Sequence, residues 1–271
     1  MSFRTHRITV AATLAAALTA SNAQSVQILS SGDEAVDQAA VALLESAGMA
    51  VTVGPEYWAL TPEDSFPETD ALFVLAGPNW SPALGMTDEG QQVLTDFANA
   101  GGGIVFSEWA GYSSYYAQTQ VLIDLLPTTY ELAYTYSGDV TYTRTADAAP
   151  TVACLVPQTF TSAADDFGGV EGYLAPKPTA TVFYESAATG LAGLTGWEYG
   201  EGRVAHFSSA IGTNQLGDTS FGRLILNTIL WSTEEPDSDA QPTCQADLVE
   251  DGVLDLADIS VFVTAFTSGC N

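Results

Sequence analysis

Residues 71–76 read Ala-Leu-Phe-Val-Leu-Ala, an unbroken apolar run between Asp70 and Gly77. A strand with one face in water alternates apolar and polar residues, whereas a strand of a parallel sheet is covered on both faces and is apolar throughout. The run therefore predicts a strand that is buried on both faces of a parallel sheet.

Strands and helices alternate on both sides of this run. Further short apolar segments typical of strands lie at 26–29, 51–53 and 104–106. Helical periodicity lies between them, in one segment that opens at Ser31-Gly32-Asp33 and ends at Gly48, and in another that begins at Thr87. This order predicts an α/β domain with a doubly wound, mostly parallel sheet over residues 24–232.

The second half of this domain has a different strand pattern. Residues 141–145 alternate, as expected for a strand with one face in water. The other predicted strands lie at 181–184, 196–199 and 204–207. Gly200-Glu201-Gly202 is typical of a hairpin turn between the last two, and residues 221–231 form a closing amphipathic helix.

The first 23 residues predict a signal peptide. Arg4 and Arg7 precede an apolar stretch at 8–20, and Ser21-Asn22-Ala23 supplies small residues at a cleavage site. The apolar stretch is too short to span a bilayer, and no later segment is long enough. We therefore expect a secreted protein that begins at Gln24 and has no membrane span.

The charge balance excludes two classes of partner. After residue 23 the chain has four Lys and Arg residues against 33 acidic residues, a net charge of −29. Such a chain repels nucleic acids and anionic membranes, so neither is expected as a partner. Most of this acidity is typical of a surface adapted to salty water.

The composition changes after the closing helix. Residues 233–243 are acidic, contain two prolines and have no large apolar residue, which is typical of a linker. Residues 244–271 are too few to fold on an ordinary core. Because Cys244 and Cys270 bracket this unit, we expect a disulfide bond between them, whereas Cys154, in an apolar run, is expected as a buried free thiol.

Residues 25–232 resemble the class I glutamine amidotransferase-like superfamily, especially its trehalose-utilisation-like branches. The segments that carry the resemblance are 70–77, 101–106, 199–204 and 221–231. The resemblance implies a flavodoxin-like α/β fold with a nucleophilic cysteine on a sharp turn after strand 104–106. This chain instead has Ser107-Glu108-Trp109-Ala110-Gly111 at that turn, so no amidotransferase activity is expected.

Three residues are candidates for catalysis in this domain. Ser107 and His206, the one histidine after residue 23, would form a hydrolytic triad if an acid completed it, and the alternative is a structural role for both. Glu108 would serve as a general base, a ligand-binding group or a solvated acid. No organic cofactor site is predicted.

Aromatic residues follow the predicted strand ends, where open α/β sheets bind ligands. They are Trp80, Trp109, Tyr112, Tyr115 and Tyr116. They would line a cleft for sugar rings or another small molecule, or would simply pack against the core.

The C-terminal unit contains a loop with EF-hand spacing at residues 247–258. Acidic side chains occupy loop positions 1, 5, 9 and 12, Gly252 takes the turn position, and the Val253 carbonyl comes next. The acidic ligands are Asp247, Asp251, Asp255 and Asp258. This set suits Ca²⁺, although Val249 removes a ligand at position 3, and the alternative is an acidic turn without a metal.

This unit resembles a single dockerin repeat, in particular the GC-type dockerin-like domain of planctomycetes. The resemblance rests on the acidic loop, on the amphipathic segment 259–266 and on the Gly269-Cys270 end. It implies attachment to a cohesin-like or other cell-surface partner and a role in polysaccharide catabolism. The whole chain is thus expected to be a non-catalytic binding or accessory protein, and the alternative is an extracellular carbohydrate hydrolase.

The first prediction concerns calcium. We expect the loop to bind Ca²⁺ with a Kd of roughly 10⁻⁴–10⁻³ M, because the cation offsets the repulsion among four crowded carboxylates while Val249 contributes no ligand. Calorimetric titration of the mature protein measures this affinity, with the double variant Asp247→Ala/Asp258→Ala as the control. Equal heats from the two proteins up to about 10 mM calcium would identify an acidic turn.

Overall fold

The computed structural model describes residues 23–77, 85–117 and 119–234, together with residue 260. Within these residues a nine-stranded mixed sheet runs through the centre of the domain. In their order across the sheet, the strands are β2 (Ala50–Glu56), β1 (Ser25–Ser30), β3 (Ala71–Val74), β4 (Gly103–Phe106), β11 (Gly202–Phe207), β10 (Ala192–Tyr199), β9 (Thr181–Ser186), β6 (Val140–Arg144) and β7 (Thr159–Ser162). Pairings from β2 to β11 are parallel, and those from β11 to β7 are antiparallel.

A second, two-stranded antiparallel sheet is formed by β5 (Thr128–Ser137) and β8 (Val170–Pro176). It is attached to the large sheet at the ends of β4 and β11. The backbone of Glu171 forms an isolated bridge with Ser209, and Gly172 N donates to the Ser208 carbonyl at 2.7 Å. Strand β8 therefore runs antiparallel to the residues that follow β11.

Helices cover both faces of the large sheet. They are α1 (Glu34–Ser46), α2 (Asp88–Asn99), α3 (Ala110–Ala117), α4 (Gln120–Leu125), α5 (Pro150–Ala153), α6 (Thr213–Gly217) and α7 (Thr219–Ser232), with one 3-10 turn at Tyr57–Ala59. Residues of α1 and α7 pack into the core on one face, and residues of α2 and α4 pack into the core on the other. The expected α/β architecture is confirmed.

The apolar run at 71–76 divides between these two cores. Ala71 and Phe73 belong to the core under α1 and α7, whereas Leu72 and Val74 belong to the core under α2 and α4. All four side chains are fully buried. The alternation of side chains along a strand explains why a strand between two helical layers has to be apolar at every position.

Local signals in the sequence set the ends of the first helix. The Asp33 carboxylate caps α1 by accepting from the backbone N–H of Ala35 and of Val36, at 2.9 and 3.2 Å. Gly48, just beyond the helix, has a φ of 81°, a conformation that favours glycine. The predicted helix ends are confirmed here, and Thr87 caps α2 in the same way.

Two expectations need correction. The sheet is less parallel than predicted, because four of its eight pairings are antiparallel. Cys154 follows the short helix α5, is partly exposed, and is disulfide-bonded. The expectation of a buried free thiol is therefore wrong.

Several predicted features lie outside the described residues. They are the signal peptide, Trp80, the linker from residue 235 onward, and the C-terminal unit with its calcium loop and its Cys244–Cys270 pair, apart from Ser260. Among the described residues, no helix is both long and apolar enough to cross a bilayer.

Candidate functional site

The parallel strands end at one edge of the sheet, and the candidate catalytic residues lie there. Strand β4 ends at Phe106 and continues into Ser107 and Glu108, while His206 lies near the end of β11 and pairs in register with Phe106. In open α/β sheets this edge is where ligands bind. The fold thus brings two of the three predicted residues, Glu108 and His206, to the same place.

Glu108 and His206 are in direct contact. The Glu108 Oε2 atom lies 3.2 Å from His206 Nε2, and both side chains are fully buried. On its other side, His206 Nδ1 lies 2.7 Å from the hydroxyl of Thr128, the first residue of β5. Thr128, His206 and Glu108 therefore lie in the order hydroxyl, imidazole, carboxylate in the interior, and the Glu108–His206 contact is a close approach without hydrogen-bond geometry.

Thr128 was not among the residues predicted from the sequence. It lies 78 positions from His206 and enters the site from the two-stranded sheet, not from a parallel strand. The only local signal is its place directly after Pro127, which indicates a break between α4 and the next strand.

Ser107 is directed elsewhere. Its hydroxyl is fully buried and donates to the carbonyl oxygen of Ala76 at 2.5 Å, with the Val74 carbonyl at 3.3 Å. Val74 is the last residue of β3 and Ala76 lies two residues beyond it, so the serine joins the ends of two neighbouring parallel strands. This bonding indicates a structural role for Ser107.

The sharp turn after β4 is centred on Trp109. Its φ is 81°, in the left-handed region that non-glycine residues rarely adopt. Such strained strand-to-helix turns present the nucleophile in hydrolases with a nucleophile elbow. Here the strained residue is a tryptophan, whose indole ring cannot act as a nucleophile, and α3 follows at Ala110.

A second buried carboxyl group lies close to the first. Glu171, on β8, is fully buried and accepts a hydrogen bond from the Ser208 hydroxyl at 2.8 Å. The Ser208 hydroxyl is in turn 3.0 Å from that of Tyr142. Burial raises the pKa of Glu171, with the charge of Glu108 adding to the shift, and the Ser186 and Ser208 side chains partly oppose it.

Two glycines let the backbone approach Glu108 closely. A Cβ on Gly172 would lie 2.5 Å from Glu108 Oε1, and one on Gly111 would lie 3.0 Å from Glu108 Oε2. Real Cβ atoms essentially never come as near as the first distance. The carboxyl group is thus enclosed by β8 on one side and by α3 on the other.

Aromatic rings cover the outer side of this enclosure. Trp109 stacks on Tyr112 with centroids 4.9 Å apart, Tyr112 lies 4.4 Å from Tyr116, and Tyr115 lies 5.5 Å from Tyr130. We call these five residues the aromatic cluster. Tyr116 is 51% exposed, whereas burial and the neighbouring Glu108 carboxyl raise the pKa of Tyr130. The cluster therefore has a wet outer side and a dry inner side against Glu108.

A small cavity of about 20 Å³ lies on the sheet face covered by α2 and α4, lined mainly by apolar side chains such as Val74, Met86 and Leu122. This volume holds about one water molecule, and neither Glu108 nor His206 lines it. Among the described residues, no three His, Cys, Asp or Glu side chains are grouped so that they could hold a metal ion.

Known structures share this fold at low sequence identity. The cytoplasmic protein STM3548 from Salmonella typhimurium is 14% identical, with a TM-score of 0.57 over 77% of this chain and 98% of its own. STM1381 from Salmonella typhimurium LT2 is 16% identical, with a TM-score of 0.57 over 78% and 100%. A protein from Bacteroides uniformis described as ThuA-like is 14% identical, with a TM-score of 0.54 over 78% and 91%. The domain therefore has the fold of ThuA-like, amidotransferase-like proteins.

The fold also matches part of a larger protein. The β-galactosidase from Bacillus circulans sp. alkalophilus is 13% identical, with a TM-score of 0.52 over 79% of this chain and 32% of its own. No protein-family profile matches the sequence, and no curated protein matches it. At these identities the structural likeness shows the fold alone.

The second prediction concerns the pH dependence of stability. Because the pKa of Glu171 is raised above its ordinary value of 4.5, the folded protein binds more protons than the unfolded chain just above pH 4.5, and stability falls as the pH rises through that window. Glu171→Gln keeps an acceptor for Ser208 and has no charge to bury. We expect it to raise the Tm by a few degrees at pH 8 and by almost nothing near pH 4.

Thermal unfolding between pH 4 and pH 8 measures this difference, with Glu185→Gln on the exposed side of β9 as the matched control. A Glu171→Gln variant that is less stable than the native protein at every pH would show that the buried carboxylate stabilises the fold.

The third prediction concerns the close packing around Glu108. Gly172→Ala introduces a methyl group against a buried carboxyl group that has no space to move, so we expect a loss of roughly 1–3 kcal/mol in the free energy of unfolding. Denaturant unfolding measures the loss. Gly217→Ala is the control, because nothing lies within 4 Å of its added Cβ. Similar losses in the free energy of unfolding of the two variants would show that the close packing around Glu108 is not the cause.

Proposed function

We propose that the α/β domain is a non-catalytic binding module of a secreted accessory protein, and that it binds sugar rings on the aromatic cluster. The observation that carries this proposal is the layering at the carboxyl edge of the sheet. The groups with catalytic chemistry, Glu108 and His206, are fully buried, whereas the rings of Tyr112 and Tyr116 lie outside them. A ligand that arrives from solvent meets the rings first.

The chemistry of the rings suits a carbohydrate. Tyr and Trp side chains combine a flat apolar face with a polar edge, so they pack on the apolar face of a sugar while they accept or donate hydrogen bonds at its rim. Their low conformational entropy also limits what is lost on binding. The strained turn at Trp109 fixes one ring of the cluster, and the stacking of Trp109 on Tyr112 fixes a second.

The C-terminal unit completes the proposal. A calcium-loaded dockerin-like unit at 244–271 would attach the protein to a cohesin-like or other cell-surface partner. A polysaccharide-handling role is supported by the usual association of dockerins with proteins of polysaccharide breakdown and by the occurrence of this fold within a β-galactosidase chain. In that arrangement the α/β domain holds a glycan near the surface while other proteins degrade it.

The fourth prediction tests sugar binding. A glycan array on the mature protein identifies a bound glycan, and calorimetry then measures its Kd. We expect Tyr116→Ala and Tyr112→Ala each to weaken binding by about 0.5–1.5 kcal/mol, because each removes one ring from the stack. Tyr199→Ala is the matched control, since Tyr199 is a partly exposed tyrosine that ends β10, away from the cluster. Equal losses in all three variants, or no glycan bound, would overturn the proposal.

A second candidate function rests on the chain Thr128–His206–Glu108. A hydroxyl, an imidazole and a carboxylate in this order are the parts of a nucleophile, its general base and the acid that orients the base. Its use would require the aromatic cluster to open, since Thr128 is almost fully buried. Hydrolysis of the array-identified glycan by the native protein, abolished in Thr128→Val and Glu108→Gln while binding persists, would favour this hydrolase over the binding module.

A further inference from the structure

Most of the positive charge of the domain gathers around helices α5 and α7. The Arg144 guanidinium donates to the Ala153 carbonyl at the end of α5, and Arg203 donates to the Trp231 carbonyl near the end of α7. Arg223 is exposed on α7 itself. Of the four Lys and Arg residues after residue 23, only Lys177 lies elsewhere, beside Trp197 and the end of α4.

The same surface carries exposed apolar side chains. Leu155 is 41% exposed and holds a φ of 57°, in the left-handed region. Leu230 is 37% exposed and lies three residues after Asn227, whose amide donates to the Cys154 carbonyl at 2.6 Å. The two leucines thus flank the contact between α7 and Cys154. We call Arg144, Cys154, Leu155, Arg223 and Leu230 the Cys154 surface.

The described main segment ends beside this surface. Glu234, its last residue, accepts hydrogen bonds from the Thr151 hydroxyl on α5 at 2.5 Å and from Arg203 at 3.0 Å. The 37 residues that follow contain eight acidic residues and no Lys or Arg. An acidic segment therefore starts beside three of the four basic side chains of the domain.

Cys154 supplies the covalent link. It is disulfide-bonded, and the two other cysteines of the chain, Cys244 and Cys270, both lie in the segment that follows Glu234. Cys244 is ten residues beyond Glu234, which allows a reach of roughly 33–36 Å. Thr151, which holds Glu234, is only three residues from Cys154, so either cysteine can reach it.

We propose that residues 235–271 dock on the Cys154 surface of their own domain, held by a disulfide from Cys154 to Cys244 or Cys270. The acidic side chains of the segment face Arg144 and Arg223, and its apolar residues cover Leu155 and Leu230. The two thiols lose two protons and two electrons to a disulfide donor of the secretory compartment, which is reduced to a dithiol. The C-terminal unit then has a fixed position on the α/β domain and does not swing on a free linker.

The link is tested by peptide mapping of the mature protein without reduction. We expect one linked pair of peptides, with the Cys154 peptide joined to the Cys244 or the Cys270 peptide, and the remaining cysteine alkylated. A linked Cys244–Cys270 pair with Cys154 alkylated would overturn the proposal. So would a dimer that disappears on reduction, because the bond would then join two copies of the chain.

The non-covalent part of the docking is tested by hydroxyl-radical footprinting in a Cys154→Ser background at low ionic strength, where attraction between exposed charges is least screened. We expect Leu155 and Leu230 to remain protected relative to Val53, which is 50% exposed on β2. Arg223→Glu in this background should raise the oxidation of both leucines at least twofold, because it replaces attraction by repulsion. Gln92→Glu, on the exposed side of α2, is the matched control and should leave it unchanged.

Unchanged oxidation of Val53 and Tyr116 in each variant confirms that the domain itself remains folded. Leucines oxidised as readily as Val53 before Arg223 is changed would show that the segment does not cover this surface, and the proposal would fail. Neither readout depends on glycan binding, so the outcome is independent of the function proposed above.

Discussion

The contact between Glu108 and His206 is the interaction on which the arrangement of the domain depends. A carboxyl group and an imidazole that are both removed from water must find each other or other polar partners, because an unpaired buried ionisable group costs several kcal/mol. The pair lies where β4 and β11 end, and the hydroxyl of Thr128 on β5 contacts the other ring nitrogen of His206. The small sheet of β5 and β8 is thereby tied to the large sheet at the edge that open α/β folds leave accessible.

Covering this edge has consequences for neighbouring residues. Gly172 leaves no room for a Cβ, which would lie 2.5 Å from Glu108, and Gly111 leaves room only for a tight contact at 3.0 Å. Glu171 on strand β8 is buried as well, and burial raises the pKa of its carboxyl group. The Ser208 hydroxyl donates a hydrogen bond to Glu171, and the Tyr142 hydroxyl in turn contacts Ser208. The aromatic cluster then closes the outer side, with Trp109 in a strained conformation that only a well-determined surrounding holds in place. The sheet edge that binds ligands in other open α/β folds is therefore buried in this domain. The outer aromatic rings form the accessible surface there.

The sequence predicts the parts of this structure that depend on local pattern. The strands at 71–76 and 104–106, the capped helices after Asp33 and Thr87, and the placement of Glu108 and His206 at strand ends all follow from periodicity and from the common direction of parallel strands. Thr128, Glu171 and the cover over the edge depend on a second sheet whose strands are 33 or more residues apart in the chain, and no local signal specifies that pairing. The bonding of Ser107 was equally beyond local prediction, since its hydroxyl donates to the segment just after β3, which is distant in sequence but adjacent in the sheet. The exposure and bonding of Cys154 were missed because an apolar run of five residues indicates burial, whereas here it lies at the end of a short helix near the surface.

The positions of the basic side chains relate the α/β domain to the acidic segment that follows it. The chain has far fewer basic than acidic side chains, so each basic side chain has many carboxylates with which it could pair. Arg203, for example, lies against both Glu198 and Glu234. Yet Arg144, Arg203 and Arg223 all gather near α5 and α7, where the acidic C-terminal segment begins. Attraction between exposed charges is weak for any one pair and is screened by salt, so charge alone would hold such a segment loosely in the salty medium that the composition suggests. A disulfide at Cys154 supplies what screened charges cannot, because it restricts the segment at any ionic strength. The basic residues would then determine which face of the segment lies against the domain, while the covalent bond determines that it stays there.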